Sequence, residues 1–151
     1  MRKLLATLLA CLAMQAGAYA GASLDSRQLP EFHFAVMGDN RPFWNAEDVV
    51  TQNEHFMANI ERTNASGADF AVIVGDLIHG YTDDTDLIER QWDAYDDAIR
   101  RFTVPLYSVA GNHDIWNEKS KRIWLQRRGP LYFSWSHKGC YFIALNSEIP
   151  G

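Results

Sequence analysis

Three short polar segments carry the residue types that bind metal ions. They are Gly38-Asp39-Asn40-Arg41, Gly75-Asp76-Leu77-Ile78-His79 and Gly111-Asn112-His113-Asp114, and they follow one another at nearly equal spacing. Carboxylate and amide oxygens suit hard divalent cations, and a carboxylate that bridges two cations holds the pair together. Two such cations can clamp the attacking and leaving oxygens of a displacement. The segments therefore indicate a site for two metal ions.

Taken singly, each of these residues has an ordinary structural explanation. An Asp that follows a strand is often a turn or cap residue, and a lone His is more often structural than catalytic. The combination is what favours a functional site, because two Gly-Asp pairs and a Gly-Asn-His-Asp run each end an apolar segment.

Each polar segment follows a short apolar run that predicts a buried strand. The runs are Phe32–Met37, Phe70–Val74 and Leu106–Ala110, and a glycine closes each one. The carboxyl ends of parallel strands meet at one edge of a sheet, and ligands bind in the crevice outside that edge. The three polar segments are therefore expected to lie together.

Helical patterns fill the intervals between these strands. In the first interval, Asn45 and Asp48 predict a helix start and Gly67 its end. In the second, apolar residues recur at steps of four and three, on one face of a helix: Ile88, Trp92, Tyr95, Ile99 and Phe102. The pattern predicts an α/β fold in the order β-α-β-α-β, with a parallel sheet and right-handed crossovers.

The three polar segments resemble the first signature blocks of the calcineurin-like metallophosphoesterases, and Gly111-Asn112-His113-Asp114 is the most specific of them. The resemblance extends from about Phe32 to the end of the chain. It implies a four-layer α/β/β/α sandwich, of which this length supplies the N-terminal half. That half would be β-α-β-α-β followed by a β-hairpin with strands Leu131–Ser136 and Cys140–Leu145.

The resemblance implies a role for each polar residue. Asp39 would bind the first metal, Asp76 would bridge both metals and Asn112 would bind the second. His113 would contact the phosphoryl group, stabilising its charge or protonating the leaving oxygen, and Asp114 would orient His113. The nucleophile would be a metal-bound hydroxide. Manganese, iron, zinc and magnesium are all compatible with the two divalent metal ions of such a site.

The first block departs from the family pattern at Arg41, where the family usually has a metal-binding His. Arginine stays protonated and cannot be a metal ligand. Its planar fork suits phosphate oxygens, so we expect Arg41 to bind the substrate; the alternative is an ion pair with a neighbouring carboxylate. His79 is a second candidate for substrate contact. Weaker candidates for the substrate mouth are Tyr81, Trp44 and Trp116.

The family's later blocks are a histidine and a Gly-His-x-His-like run, and neither follows Asn112 in this chain. His137 falls in the predicted hairpin turn, where we interpret it as a solvated turn residue. We therefore expect a truncated domain with one bare sheet face and two half-filled coordination spheres. Such a fragment would bind metal weakly and turn over little substrate.

Residues 1–20 have the three parts of a secretory signal peptide: Arg2-Lys3, an apolar run over Leu4–Met14, and Ala18-Tyr19-Ala20. The apolar run is too short to span a membrane. We expect residues 1–20 to be removed, 21–30 to form a linker and 31–151 to form the partial phosphoesterase domain, in a periplasmic or secreted protein. A lipoprotein cleavage box at Leu8–Cys11 is a minor alternative. Cys140 would then be the one mature cysteine, so no intrachain disulfide is expected.

The acidic balance, a net charge of -5, argues against a groove for nucleic acid. The leading interpretation is metal-dependent hydrolysis of phosphate esters, with a phosphorylated small molecule or a phosphoprotein as substrate. One alternative is a non-catalytic member of the fold that binds a phosphorylated ligand through Arg41 and residual metal. Another is a doubly wound nucleotide- or phosphate-binding domain, although no Gly-x-Gly-x-x-Gly follows the first strand.

Overall fold

A computed structural model describes residues 30–42 and 50–148. The predicted signal peptide, most of the predicted linker and Trp44 lie outside the described residues. Within the described ranges the elements are, in order, β1 (Phe34–Met37), α1 (Glu54–Ala65), β2 (Phe70–Val74), α2 (Thr85–Ile99), β3 (Leu106–Val109), α3 (Glu118–Arg127), β4 (Phe133–His137) and β5 (Cys140–Ala144).

The first three strands form the predicted parallel sheet, in the order β1-β2-β3. Ala71 of β2 pairs with Ala35 on one side and with Leu106 on the other. A strand between two others, with layers on both faces, needs an uninterrupted apolar run. β2 meets this requirement, because its first four residues are all buried. The prediction of three parallel strands is confirmed, with β1 two residues shorter and β3 one residue shorter than expected. Burial was predicted for all three but holds for β2, because the residues of β1 are exposed or half-buried and those of β3 are half-buried.

Helix α2 presents the predicted apolar face to the sheet. Its N-cap Asp84 accepts a hydrogen bond from the Leu87 amide at 3.0 Å, which fixes the start of the helix. Ile88, Trp92 and Tyr95 are fully buried in the main core. Burial of an apolar side chain of this size contributes about 1.5–3 kcal/mol, so this face holds the helix on the sheet.

Helix α1 begins later than predicted. Asn53 is its N-cap, and the side chain accepts a hydrogen bond from the His55 amide at 2.8 Å. Asn45 and Asp48, the predicted start, lie outside the described residues, and the helix that the structure describes begins after Asn53 instead. Asn53 itself supplies the cap, because its side-chain oxygen satisfies an amide that the first turn leaves unpaired.

Helix α3 is not among the sequence-based expectations. Asn117 caps it with a reciprocal capping box to Ser120, but Ile123 and Trp124 are its buried apolar residues. Two apolar positions do not make a clear helical stripe. The helix is held to α2 by Arg127, whose guanidinium pairs with Asp93 at 2.8 Å and Asp96 at 2.9 Å.

Strands β4 and β5 form the predicted antiparallel hairpin, which packs by aromatic rings on the face of the sheet away from the helices. Trp135 stacks on Tyr107 at 4.0 Å between ring centroids, and Phe142 meets the ring of Phe70 edge-on at 5.2 Å. Helices, parallel sheet and hairpin thus supply three layers of the expected α/β/β/α sandwich. Within the described residues the outer hairpin face is bare, with Tyr141 69% and Ile143 64% exposed.

His137 is not a solvated turn residue, which corrects the expectation. Its ring lies 5.1 Å from that of Phe32 and 5.3 Å from that of Phe70, between the hairpin and the sheet. Its Nε2 lies 3.2 Å from Oδ1 of Asp69, which also accepts a hydrogen bond from Lys138 Nζ at 2.7 Å. The position next to the aromatic layer, rather than the turn sequence, decides the environment of this ring.

Candidate functional site

The three polar segments follow β1, β2 and β3 and meet at the carboxyl edge of the sheet. The Asp39 amide donates to the Gly75 carbonyl at 3.3 Å, and the Arg41 amide donates to the Asp76 carbonyl at 2.9 Å. These bonds continue the β1–β2 ladder beyond the strands. The predicted convergence of the segments at one sheet edge is therefore present.

The backbone turns sharply at the two aspartates themselves. Asp39 has φ 51° and Asp76 has φ 54°, in the left-handed region that Asp and Asn tolerate better than most residues. Gly111 lets the third segment approach the second closely. A Cβ at this position would lie 2.5 Å from both the amide nitrogen and Oδ1 of Asp76. A residue larger than glycine at position 111 would push the second and third segments apart.

The buried Asp76 carboxylate lies at the centre of the site. Its Oδ2 is 3.3 Å from Arg41 Nε and 3.8 Å from His113 Nε2, and its Oδ1 accepts a weak hydrogen bond from the His113 amide at 3.4 Å. One side chain from the second segment thus contacts residues of the first and third segments. For Arg41, the sequence analysis left an ion pair with a neighbouring carboxylate as the alternative to substrate binding, and Arg41 forms such a pair with Asp76.

The imidazole of His113 is buried and held in one orientation. Its Nδ1 lies within hydrogen-bonding distance of the His79 carbonyl. A carbonyl only accepts, so Nδ1 carries the proton and Nε2 is the nitrogen turned to Asp76. The site therefore presents His113 Nε2, with a lone pair when the ring is neutral and a proton when it is charged.

Asp114 does not contact the His113 imidazole, which corrects the expected orienting role. Its carboxylate is fully buried and accepts three backbone hydrogen bonds, from Leu77 at 2.9 Å, Ile78 at 3.2 Å and Gly111 at 2.8 Å. Burial raises the pKa of Asp114 to about 7, although the hydrogen bonds from the three amides lower it. Asp114 ties the second segment to the third, and His113 is oriented by the His79 carbonyl instead.

His79 contributes its backbone carbonyl to the site, as the partner of His113 Nδ1. Its ring centroid lies 5.9 Å from that of His113. Burial lowers the pKa of His79, and the charges of His113 and Arg41 lower it further. A neutral ring is favoured at this position.

Gln91 is a residue of this region that the sequence analysis missed. It is buried on α2, and its Oε1 accepts a hydrogen bond from the Gly80 amide at 2.9 Å. Gly80 has φ 58°, and a Cβ there would lie 1.9 Å from the His113 carbonyl oxygen. The available signal was a polar Gln between Ile88 and Trp92 on an otherwise apolar face. Gln91 fixes the loop whose preceding carbonyl holds His113.

Asn112 and Tyr81 form a second, more exposed part of the site. The Asn112 amide group donates to the Tyr81 hydroxyl at 2.6 Å. The Tyr81 ring meets the His113 ring edge-on at 4.3 Å between centroids, and Trp116 lies 5.7 Å from Tyr81. Of the weaker mouth candidates, Tyr81 and Trp116 thus lie at the site.

The oxygen donors at this edge suit divalent cations in kind but are few. Asp39 is exposed, Asp76 presents a carboxylate, and Asn112 keeps its Oδ1 because its nitrogen is bonded to Tyr81. Within residues 30–42 and 50–148, no three His, Cys, Asp or Glu side chains come together in a way that could hold a metal ion. The described residues therefore fit a cation through a partial ligand set.

The fold is that of the α/β metallophosphoesterases, with polar segments at the carboxyl ends of three parallel strands. Residues 32–148 match the calcineurin-like phosphoesterases, and the chain belongs to that family. This confirms the resemblance drawn from Asp39, Asp76 and the run Gly111–Asp114. The family is metal-dependent and acts on phosphoester bonds.

Two curated proteins are similar to the chain. The human serine/threonine-protein phosphatase CPPED1 is 38% identical over 116 residues, which cover 68% of this chain and 34% of that protein. The DNA double-strand break repair protein Mre11 of Archaeoglobus fulgidus is 31% identical over 90 residues, which cover 57% of this chain and 18% of that protein. The chain thus spans about a third or less of the length of these relatives.

A solved structure is also similar: the purple acid phosphatase PPD1 from yellow lupin (Lupinus luteus) seeds. It has a TM-score of 0.45 and 16% identity, over 69% of this chain and 22% of that one. Separately, every helix in the described part of the chain is too short or too polar to cross a membrane.

Proposed function

We propose that the protein to which this chain belongs hydrolyses phosphate esters at the edge where the three segments meet. The observation that carries the proposal is the position of Asp76, whose carboxylate contacts Arg41 of the first segment and His113 of the third. A carboxylate at the centre of such an edge is suited to bridge two cations. Family membership supports the reaction class.

Asp39, Asp76 and Asn112 are the proposed ligands of two divalent cations: manganese, iron, zinc or magnesium. Their oxygens come from three different segments, so cations held there would join the segments. When bound, such cations supply a nucleophile at neutral pH and neutralise charge on the phosphoryl oxygens. Further ligands are needed to complete the two coordination spheres.

His113 and Arg41 are the proposed phosphoryl contacts. Because the His79 carbonyl fixes Nδ1–H, the proton that His113 can place on the substrate is the one on Nε2. That proton can stabilise a phosphoryl oxygen or pass to the leaving oxygen. Arg41 uses Nε for Asp76, and its terminal nitrogens are suited to phosphate oxygens. His79 remains a candidate substrate contact through its ring.

The substrate class is a phosphorylated small molecule or a phosphoprotein. The name of the human relative, a serine/threonine-protein phosphatase, makes phosphoserine and phosphothreonine peptides the first natural substrates to test. Selectivity would depend on groups around the mouth, such as Trp116.

The test is hydrolysis of an aryl phosphate by the complete encoded protein, with each candidate metal and with a chelator. We expect metal-dependent turnover that His113→Ala reduces by at least about a hundredfold. His33→Ala is the matched control, because His33 is an exposed histidine at the opposite end of the sheet. Turnover that survives both chelation and His113→Ala would contradict the proposal.

A non-catalytic phosphate-binding protein is the second candidate function. Arg41 favours it, because an arginine that pairs with Asp76 stands where the family usually has a metal-binding histidine. This candidate requires that the complete protein binds phosphate without turnover under every metal condition. Turnover that is lost in His113→Ala would rule it out.

We also propose the domain order given by the sequence: a signal peptide over residues 1–20, a linker over 21–30 and a partial phosphoesterase domain over 31–151. Export to the periplasm or the medium follows from the signal peptide. The N-terminal sequence of the mature protein is the check, and we expect it to begin at Gly21. A mature protein that keeps Met1–Ala20 would contradict the signal peptide.

A further inference from the structure

Tyr81 lies beside the site in a backbone conformation that few tyrosines adopt. Its φ of 49° is in the left-handed region, where the Cβ crowds the following carbonyl. The side chain is 46% exposed, so burial of the ring offsets little of this cost. A residue held in such a conformation next to a site indicates a function for its side chain.

Two contacts direct the Tyr81 side chain at the reaction centre. The ring meets the His113 imidazole edge-on at 4.3 Å between centroids. The hydroxyl accepts a hydrogen bond from Asn112 Nδ2 at 2.6 Å. The Tyr81 side chain therefore contacts both a proposed metal ligand, through its hydroxyl, and the proposed phosphoryl contact, through its ring.

The direction of the Asn112 bond decides where the tyrosine proton goes. An amide nitrogen only donates, so the Tyr81 oxygen accepts and its own proton is left for another partner. This orientation is also the one that Asn112 requires if its Oδ1 is to bind a cation. The reverse orientation would place an NH₂ group toward the cation, which is repulsive.

We propose that the Tyr81 hydroxyl donates a hydrogen bond to a non-bridging oxygen of the phosphate ester and is a substrate-binding residue. The inference rests on the proposed function of the same site. It assigns Tyr81 to the recognition of the phosphoryl group itself, so inorganic phosphate must also use the contact.

The experiment compares Tyr81→Phe with wild type in the complete encoded protein. The variant keeps the ring and the backbone strain and removes only the hydroxyl. We expect inorganic phosphate, measured by calorimetry, to bind about ten- to a hundredfold more weakly, the usual effect of one hydrogen bond to a charged group. We expect kcat/KM for an aryl phosphate to fall by a similar factor, with the metal content unchanged.

Tyr141→Phe is the matched control, because Tyr141 is an exposed tyrosine whose hydroxyl bonds to Ser134 on the hairpin. It should leave phosphate binding and kcat/KM at wild-type values. A Tyr81→Phe variant with wild-type phosphate affinity, in a protein that is active and sensitive to His113→Ala, overturns the inference and leaves the proposed function standing. A variant that loses metal also overturns it, because Tyr81 would then act through Asn112. Absence of metal-dependent turnover in wild type overturns the proposed function and this inference together.

Discussion

The two ends of β2 carry the same kinds of side chain in two different arrangements. At the amino end, the Asp69 cluster consists of Asp69, His137 and Lys138, with separations of 3.2 Å and 2.7 Å from the carboxylate. At the carboxyl end, the Asp76 cluster consists of Asp76, His113 and Arg41, with separations of 3.8 Å and 3.3 Å. An aspartate, a histidine and a longer cation thus make both clusters.

The two clusters differ in which elements supply the partners of the aspartate and in how closely those partners approach its carboxylate. His137 is the last residue of β4 and Lys138 begins the hairpin turn, and both lie close to Asp69, so they hold the hairpin to the sheet. His113 and Arg41 come from two neighbouring strand ends and stay farther from Asp76. Because loops crowd the carboxyl edge of a parallel sheet, groups there converge on a common space. Strand direction, rather than residue type, therefore distinguishes the proposed site from the structural contact.

The largest expected effect is a loss of activity when the aspartate at the carboxyl end of β2 is replaced by asparagine. The same substitution at the amino end should have little effect. Asp76→Asn should lower kcat/KM for an aryl phosphate by more than about a hundredfold, since even outer-shell partners of a metal cost 10–100-fold. Asp69→Asn should change kcat/KM by less than about threefold, because it does not approach the site. Steady-state kinetics on the complete protein, with metal content measured, are the check. Equal losses in the two variants would remove the proposed distinction.

A smaller effect is expected at Gln91, which acts on the Asp76 cluster through Gly80 and His79. Gln91→Leu removes the acceptor for the Gly80 amide and releases the loop whose carbonyl holds His113. We expect kcat to fall about ten- to a hundredfold, with a smaller change in KM. The NMR chemical shifts of the His113 ring nitrogens should also change, which a purely structural role would not produce.

The control for this substitution is Gln126→Leu, the same change at an exposed position of α3. It should leave both the kinetics and the chemical shifts of the His113 ring as in wild type. If Gln91→Leu reduces the free energy of unfolding but leaves the His113 chemical shifts unchanged, Gln91 has no positioning role.

The sequence predicts the parallel sheet and the convergence of the three segments because both follow from short-range patterns. A buried strand needs a continuous apolar run, as in Phe70–Val74, and a glycine and an aspartate mark its end. Parallel order then places the ends together without any knowledge of side-chain contacts. Helix α2 is equally clear, since its apolar stripe from Ile88 to Ile99 extends over about three turns.

The side-chain partners could not be predicted in the same way, because they depend on contacts between distant segments. The hairpin turn around His137 indicates a solvated ring, but the aromatic layer beneath the hairpin encloses it. The family resemblance implies an orienting role for Asp114, yet its carboxylate accepts hydrogen bonds from the amides of Leu77 and Ile78. Gln91 is a buried polar residue whose partner is set by loop geometry. The environments of these three side chains are therefore known only from the packed structure.

The next largest effect is expected at Arg41, whose counterpart in the Asp69 cluster is Lys138. Arg41→Ala should raise KM for an aryl phosphate about tenfold, the effect of one lost charge-assisted hydrogen bond, and leave metal content intact. Lys138→Ala should leave KM unchanged, because Lys138 contacts Asp69 and the Glu31 carbonyl at the far end of the sheet. Kinetics and metal analysis of both variants are the measurements. Loss of metal in Arg41→Ala would mean that Arg41 supports Asp76 rather than the substrate.

The smallest effect is expected in the dependence of stability on pH, and it belongs to the Asp69 cluster. The hydrogen bond from Lys138 chiefly lowers the pKa of Asp69, with smaller contributions from the His33 amide and His137, to about 2 from an ordinary 3.8. Between these values the unfolded chain binds a proton that the folded chain does not. The stabilisation from Asp69 is therefore present above about pH 4 and lost as the pH falls toward 2.

Asp69→Asn abolishes this titration, so the gap in unfolding free energy between wild type and variant should narrow as the pH falls through that window. Urea unfolding followed by circular dichroism at a series of pH values measures the gap. Other carboxylates titrate in the same range, but they do so in both proteins and cancel in the difference. In a Lys138→Ala background the narrowing should largely disappear, because the principal cause of the low pKa of Asp69 is gone. A gap that stays constant with pH in the wild-type background would show that the Asp69 carboxylate gains nothing from its partners, and the contrast with Asp76 would then rest on activity alone.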